Sequence, residues 1–262
     1  MNRSTILRWS FLAALTGSAL SARAHPLDQD ALMKVVRTID DRQRNSGDYR
    51  SLAYLEQKER DKTDTAREAI VYRRSDDQKL MILFTKTKGE AGKGYLRLDK
   101  NLWSYDPTTG KWDRRTERER IAGTDSRRAD FDESRLAEEY DSTFSGEAKL
   151  GAYDTWVIDL KVKPGVDVAY PVVKLWVDQR DGNVLKRQEF ALSGRLMRTL
   201  YYPKWNKVFS ESKGADVYYP AEIRIYDEVE KANSTIVVLK EVDLRPLQAN
   251  IFTKAWLESK SR

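Results

Sequence analysis

Eleven short runs rich in β-branched and aromatic residues follow one another between Tyr49 and Asp243. That succession constrains the fold of this 262-residue chain more than any other feature. The runs lie near 49–60, 67–74, 79–87, 94–98, 102–105, 155–162, 172–178, 184–192, 196–202, 218–227 and 235–243. Many of them alternate apolar with polar residues, the period of a strand with one buried face. The breaks carry turn chemistry: Asp106-Pro107-Thr108-Thr109-Gly110, Arg180-Asp181-Gly182-Asn183 and Ser193-Gly194. Asp181-Gly182 suits a tight primed turn, in which positive φ is required. Short connections make neighbouring strands antiparallel. The prediction is a mainly β protein built on one large up-and-down sheet. Its 7 Trp and 13 Tyr are ample for a core.

Three segments depart from the strand rhythm. Asp28 to Arg44 reads as a helix, with Leu32, Val35, Val36 and Ile39 forming one apolar stripe. Asp28 or Asp30 can cap its start and Gly47 can end it. So narrow a stripe fits a helix lying on one side of a sheet. Residues 113–146 are dense in charge and show no clear strand, and Phe131 to Tyr140 within them suggests a short helix capped by Asp132 or Ser134. A long insertion of this kind is commonly functional; a solvated charged loop is the plainer alternative. Ile251 to Glu258 predicts a short closing helix that packs through Phe252 and Trp256.

Residues 1–24 have the layout of a signal peptide. Arg3 and Arg8 precede an apolar stretch from Trp9 to Leu20, and Ala22-Arg23-Ala24 offers a small-residue cleavage site. The apolar stretch is too short for a membrane span, which needs about 20 residues. Cleavage would start the mature chain at His25 and leave residues 25–262 as one domain. The chain has no cysteine, so disulfides, thiolate metal sites and cysteine nucleophiles are excluded. With His25 as its single histidine, histidine-based zinc sites and Ser-His-Asp triads are close to excluded too. The 47 Lys and Arg exceed the 41 Asp and Glu by 6, and losing the three leader arginines reduces this to 3. Such a mild excess does not indicate a nucleic-acid binder.

Candidate chemical motifs dissolve on inspection. Gly89-Glu90-Ala91-Gly92-Lys93-Gly94 has the wrong spacing for a phosphate loop, and Gly94 stands where a Ser or Thr is needed. It reads as a hairpin connection. Asp178, Asp181 and Asn183 lack the downstream glutamate of a calcium loop. Asp130, Asp132, Glu133, Glu138 and Glu139 could pair carboxylates for acid–base work, but nothing marks a buried pair, and a solvated helix face with acids favouring its N-terminus is the plainer reading. The arginines between 114 and 128 are interleaved with acids, which dilutes any field directed at phosphates. No catalytic residue and no metal ligand is assigned.

Several local motifs carry a resemblance to a known family. These are Gly94-Tyr95-Leu96-Arg97, Leu102-Trp103-Ser104-Tyr105-Asp106-Pro107, Ile121-Ala122-Gly123-Thr124-Asp125, Glu139-Tyr140-Asp141 and Phe252-Thr253-Lys254-Ala255-Trp256-Leu257. With the leading helix, the strands and the mid-chain insertion, the chain resembles the LolA-like family, in its outer membrane lipoprotein-sorting branch. The resemblance implies an unclosed half-barrel whose concave face holds acyl chains beneath helical lids, without cofactor, metal or catalysis. It also implies a soluble, monomeric periplasmic carrier of lipoprotein acyl chains or other lipids, served by an inner-membrane transporter of the RND-like or ABC type. A lipid-sensing regulatory protein with the same fold is the alternative.

Side chains alternate along a strand, so one phase should line the concavity. Leu96, Leu98, Trp103, Tyr105, Trp156, Ile158 and Leu160 are the expected lipid-binding residues, and Phe131, Leu136 and Tyr140 the expected lid. The same residues could instead fill an ordinary closed core.

Overall fold

The computed structural model describes residues 27–44, 47–75, 77–86, 89–98, 101–116, 119–131, 134–211 and 213–261. The signal peptide, His25 and the Asp132 cap lie outside them. The chain opens with helix α1 (Gln29–Arg44) and continues into six strands. These are β1 (Asp48–Lys58), β2 (Thr65–Arg74), β3 (Lys79–Lys86), β4 (Gly94–Leu98), β5 (Asn101–Asp106) and β6 (Lys111–Arg115). A long crossover holds a 3-10 turn (Arg128–Phe131) and helix α2 (Leu136–Glu139). Seven strands follow: β7 (Tyr140–Leu150), β8 (Tyr153–Val162), β9 (Val172–Asp178), β10 (Val184–Phe190), β11 (Leu196–Ser210), β12 (Ala215–Asp227) and β13 (Ser234–Asp243). A 3-10 turn (Ala249–Phe252) and helix α3 (Lys254–Lys260) close the chain.

All thirteen strands belong to one antiparallel sheet, in the order β6-β5-β4-β3-β2-β1-β13-β12-β11-β10-β9-β8-β7. The expected eleven strands are present, and the two additional ones, β6 and β7, are its edges. Both overlap the ends of the charged region, 113–146, in which no strand is expected. An edge strand pairs on one side only and is often kept charged; β6 reads Lys-Trp-Asp-Arg-Arg, and most of β7 alternates exposed with half-buried residues. The edges do not pair with each other, so the sheet is unclosed. The chain runs outward from β1 to one edge, crosses to the other through residues 116–139, and returns until β13 pairs with β1. The crossover is thus the link between two edges that a flat sheet would hold about 58 Å apart.

Three local expectations are corrected. Strand β11 runs on to Ser210, beyond the expected end at Tyr202, because Pro203 sits in a bulge between Tyr201 and Lys204 where ladder pairing is already interrupted. The 178–183 connection closes with Asp178 bonded to Asn183, and of its residues only Gly182 has positive φ (67°), so it is not the primed two-residue turn. The Phe131–Tyr140 helix is shorter than expected. Its first amides are capped across the fold: Asp40 of α1 accepts from Leu136 N and Ala137 N, both at 2.9 Å, and from Ser134 Oγ at 2.6 Å.

Both sheet faces are covered in part. On one face α1 buries Leu32, Val36 and Ile39 against Ile158, Leu160, Val173, Leu175 and Val177, with Leu136 and Tyr140 from the end of the crossover. Asp28 starts this helix by accepting from Ala31 N at 2.8 Å. On the same face Ile121 and Phe131 pack on Leu80, Ile82, Phe84, Tyr95 and Leu102. On the other face Ile251, Phe252 and Leu257 pack on Met81, Leu83 and Leu96. Strand β3 is therefore buried on both sides.

Helix α3 comes close enough to β4 to require a glycine there. A Cβ on Gly94 would lie 2.6 Å from the Ile82 carbonyl oxygen and 2.7 Å from Leu257 Cδ1. Gly94→Ala is expected to lower stability by about 1–3 kcal/mol, read from the urea midpoint; an unchanged midpoint would contradict this docking of α3.

Candidate lipid-binding cavity

A cavity of about 450 Å³ opens on the face that carries α1 and the crossover. Its wall takes residues from seven consecutive strands, β3, β2, β1, β13, β12, β11 and β10. Laid flat, these strands would span roughly 29 Å, so the sheet curves around the space. Ala53 and Leu55 of β1, Val71 of β2, Leu80, Ile82 and Phe84 of β3, Leu200 of β11, Ile223 and Ile225 of β12, and Val237 and Leu239 of β13 make the wall apolar. The volume falls in the range of about 300–1,000 Å³ typical of small-ligand sites.

The structure sorts the expected site residues into three groups. Phe131, Leu136 and Tyr140 line the cavity. Trp156, Ile158 and Leu160 share the face but lie beneath α1, which occupies the space in front of them. Leu96, Leu98 and Tyr105 are on the opposite face, in the cluster beneath the closing segment. Trp103 is there too, under Lys254 at 4.4 Å from its ring centroid. On β4 and β5 the inward phase is Tyr95, Arg97, Leu102 and Ser104: Tyr95 and Leu102 pack under Ile121, and Arg97 Nη1 donates to the Phe131 carbonyl at 2.8 Å.

One wall of the cavity is ionic. Arg198 of β11 is 1% exposed, and the strand register places it directly opposite Glu189 of β10. Its guanidinium donates to Glu189 Oε2 at 2.7 Å, to Asp130 Oδ1 at 2.6 Å and Oδ2 at 3.0 Å, and to the Asp125 carbonyl at 2.9 Å. It also lies 5.0 Å from the centroid of the Tyr170 ring. Arg187 donates to Glu189 Oε1 at 2.8 Å. Two arginines and two carboxylates thus form a balanced cluster. Asp125 and Asp130 come from the crossover, and Asp125 also accepts from Thr235 Oγ1 of β13 at 2.9 Å. The crossover is fixed to the sheet by these bonds.

The environment shifts these groups in consistent directions. Burial acts to lower Arg198, but Asp130 and Glu189 outweigh it and hold the guanidinium well above its ordinary value. Burial acts to raise Asp130, and Arg198 outweighs it, so the carboxyl sits below the ordinary range. The phenols of Tyr140, Tyr170 and Tyr202 are pushed up to about 12, chiefly by burial. Tyr140 is held in turn by its hydroxyl, which donates to the Tyr170 carbonyl at 2.9 Å.

The sequence pattern does not show the ionic cluster, since it puts Asp130 on a solvated helix face. A signal was present: Glu189 and Arg198 are charges in the inward phase of two strands joined by Ser193-Gly194, where a hairpin brings them into register.

An unclosed antiparallel sheet wrapped around an apolar cavity, with a helix and a long crossover on its concave side, is the LolA-like fold. A LolA superfamily protein from Nitrosomonas europaea superposes with a TM-score of 0.69 at 19% identity, over 86% of this chain and 98% of that one. A putative outer membrane lipoprotein-sorting protein domain from Vibrio parahaemolyticus gives 0.74 at 15% identity, over 88% and 100%. A DUF1329 family protein from Desulfovibrio piger gives 0.76 at 18% identity, over 89% and 100%. At these identities the likeness is one of fold. No curated protein matches the chain. A family profile described as "uncharacterized protein" matches residues 76–259, and the chain belongs to that family.

Because folding lowers the Asp130 carboxyl below its unfolded value near 3.9, its contribution is complete above about pH 5 and is lost as pH falls through the folded value. Asp130→Asn is expected to cost about 3 kcal/mol at neutral pH. The gap to the natural protein should narrow as both are acidified toward about pH 3. Denaturant midpoints across that range test this, and a gap independent of pH would contradict the ionic role of Asp130.

Proposed function

We propose that the protein is a periplasmic carrier that shelters acyl chains of lipoproteins or related lipids for transfer to the outer membrane. The observation that carries this reading is the apolar cavity on the concave face, bounded by the curved sheet and the crossover. Each CH₂ group removed from water contributes about 0.8 kcal/mol. A chain of about a dozen such groups therefore cannot cross an aqueous compartment unaided, and a concave apolar wall supplies what it lacks. The related folds include a domain named for lipoprotein sorting, which supports the same class of cargo.

The mechanism is reversible binding without covalent chemistry. Phe131, Leu136 and Tyr140 close over the acyl chain as the crossover settles on the sheet, and the chain leaves when the crossover lifts. The signal-peptide layout of residues 1–24 supports export to the periplasm. In this reading the protein works as a soluble monomer that receives cargo from an inner-membrane transporter.

Cavity wall and sealed core should respond differently to a buried charge. Val237, half-buried on the wall, can carry a hydrated carboxylate when the cavity is empty. Val237→Glu is expected to stay folded while binding a fluorescent fatty acid at least tenfold less tightly, about 1.4 kcal/mol. Leu160, fully buried under α1, offers no water, and an unpaired carboxylate there costs several kcal/mol. Leu160→Glu should therefore unfold or melt far lower. Normal fatty-acid binding by a folded Val237→Glu protein would contradict the assignment of the cavity.

A further inference from the structure

The sheet forks between β12 and β13. These strands pair only from Glu222 with Val238 to Tyr226 with Ser234. Beyond that point β12 stays with β11 as far as Ala215, and β13 stays with β1 as far as Asp243. Two interior strands thus gain free edges where they part. Such edges are commonly blunted by a proline or a bulge. Both devices are present: Pro220 on β12, and on β13 a bulge at Glu241, whose φ is 50°. The fork is therefore a built feature, and the cavity runs up to it. Tyr219 and Pro220 line the cavity from one prong, and Leu239 lines it from the other.

Two hydroxyls stand beside the fork. Tyr49 and Ser51 are two residues apart on β1, so both project from the same side of the strand, and both line the cavity. Their oxygens are buried and have no hydrogen-bond partner among the described residues, and Ser51 is 0% exposed. Burial pushes the Tyr49 phenol up to about 12, so it stays protonated; Ser51 and, across the fork, Tyr219 are near enough to act on it. Even if the two hydroxyls bonded to each other, one O–H would be left over. A buried donor is ordinarily satisfied by a partner. This corner of the apolar wall is short of an acceptor.

The acceptor that suits it is uncharged. Arg42, at the end of α1, is held by the β9–β10 turn: its Nη1 donates to the Asp181 carbonyl and to Asn183 Oδ1, the latter at 2.7 Å. Arg73, opposite Tyr49 in the register, is engaged as well. A carboxylate brought here would meet cations that are already committed, and an unmatched buried charge is costly. An ester or amide carbonyl carries no charge and has two lone pairs, one for each hydroxyl. That group occurs where an acyl chain joins its head.

We propose that Tyr49 and Ser51 seat the ester or amide carbonyl of an acylated ligand, with its acyl chain along the apolar wall and its head leaving through the fork between β12 and β13. This rests on the carrier reading and adds to it the linkage that is recognised and the direction in which the ligand lies. A mouth beside the seat lets a head larger than the cavity stay outside.

Competition against a fluorescent fatty acid tests the linkage, using 1-dodecanoylglycerol, 1-O-dodecylglycerol, which lacks only the carbonyl, and dodecanoate. The natural protein should bind the ester roughly tenfold or more tightly than the ether or the carboxylate. Tyr49→Phe combined with Ser51→Ala should bring the ester down to the affinity of the ether. The ligand-free melting temperature of that variant should hold or rise, because the deleted hydroxyls have no partner to lose. Direction is read by fluorescence quenching. The chain has no cysteine, so Ala215→Cys beside the fork and Thr63→Cys on the turn at the other end of β1 can each carry a single fluorophore. A dodecanoylglycerol with a nitroxide on its glycerol should quench the label at 215 more than the label at 63. Equal binding of ester and ether, or tighter binding of dodecanoate, would overturn the seat and leave the carrier reading standing. A marked fall in the variant's ligand-free melting temperature would show that the hydroxyls serve structure, and stronger quenching at 63 would place the head at the wrong end; either result overturns the proposal. Failure of every chain to bind would overturn the carrier reading beneath it.

Discussion

The chain crosses its own sheet once, between the two unpaired edges, and Arg198 decides where that crossing rests. A fully buried guanidinium is tolerable only when its nitrogens are engaged and its charge is matched. Glu189 meets it from the neighbouring strand, while Asp130 and the Asp125 carbonyl meet it from the crossover. Lifting the crossover off the concave face therefore means parting Asp130 from Arg198, so this cluster sets the cost of opening the cavity. Asp40 does the same service at the other end of the segment, holding Ser134 and the first amides of α2 against α1. Between these two anchors lies Phe131, over the apolar wall.

This arrangement explains why one curved sheet suffices. A single sheet has two faces to cover, and here each is covered only in part: α3 shields β3 and β4 on the convex side, and α1 shields β8 and β9 on the concave side. Over the middle of the concave face, from β3 through β13 to β11, α1 reaches the sheet only with its end, where Arg42 lies over Tyr218 of β12, and the apolar wall beyond is left open. The crossover bridges that stretch without filling it, and the uncovered apolar wall is the cavity. Placing the helices at the flanks leaves the centre available to a ligand.

Most of the architecture was legible in the sequence because β-branched alternation and turn chemistry are local signals. Strands β4 and β9 were placed to the residue, and α1 to within one. The omissions have common physical causes. Edge strands β6 and β7 carry charge where interior strands carry apolar residues, and Pro203 marked an end to β11 where the ladder in fact steps through a bulge. The cavity was harder to read. Alternation shows that β4 and β5 have two phases but not which one faces inward, and the larger side chains, Trp103 and Tyr105, belong to the convex face beneath Lys254 and Trp112. Phe131, Leu136 and Tyr140 were identifiable because apolar residues are sparse in so charged a segment. Arg198 was not, because its partners lie 68 residues away at Asp130 and across a hairpin at Glu189.

The central claim is that the concave cavity carries acyl lipid in the cell. Native mass spectrometry of the protein purified under gentle conditions from its own cells measures this most directly. The account predicts a population heavier than the mature chain by the mass of a noncovalent acyl lipid, released on collisional activation and absent from the Val237→Glu protein. A chain that emerges lipid-free, and that stays so after incubation with fatty acids and phospholipids, would contradict it.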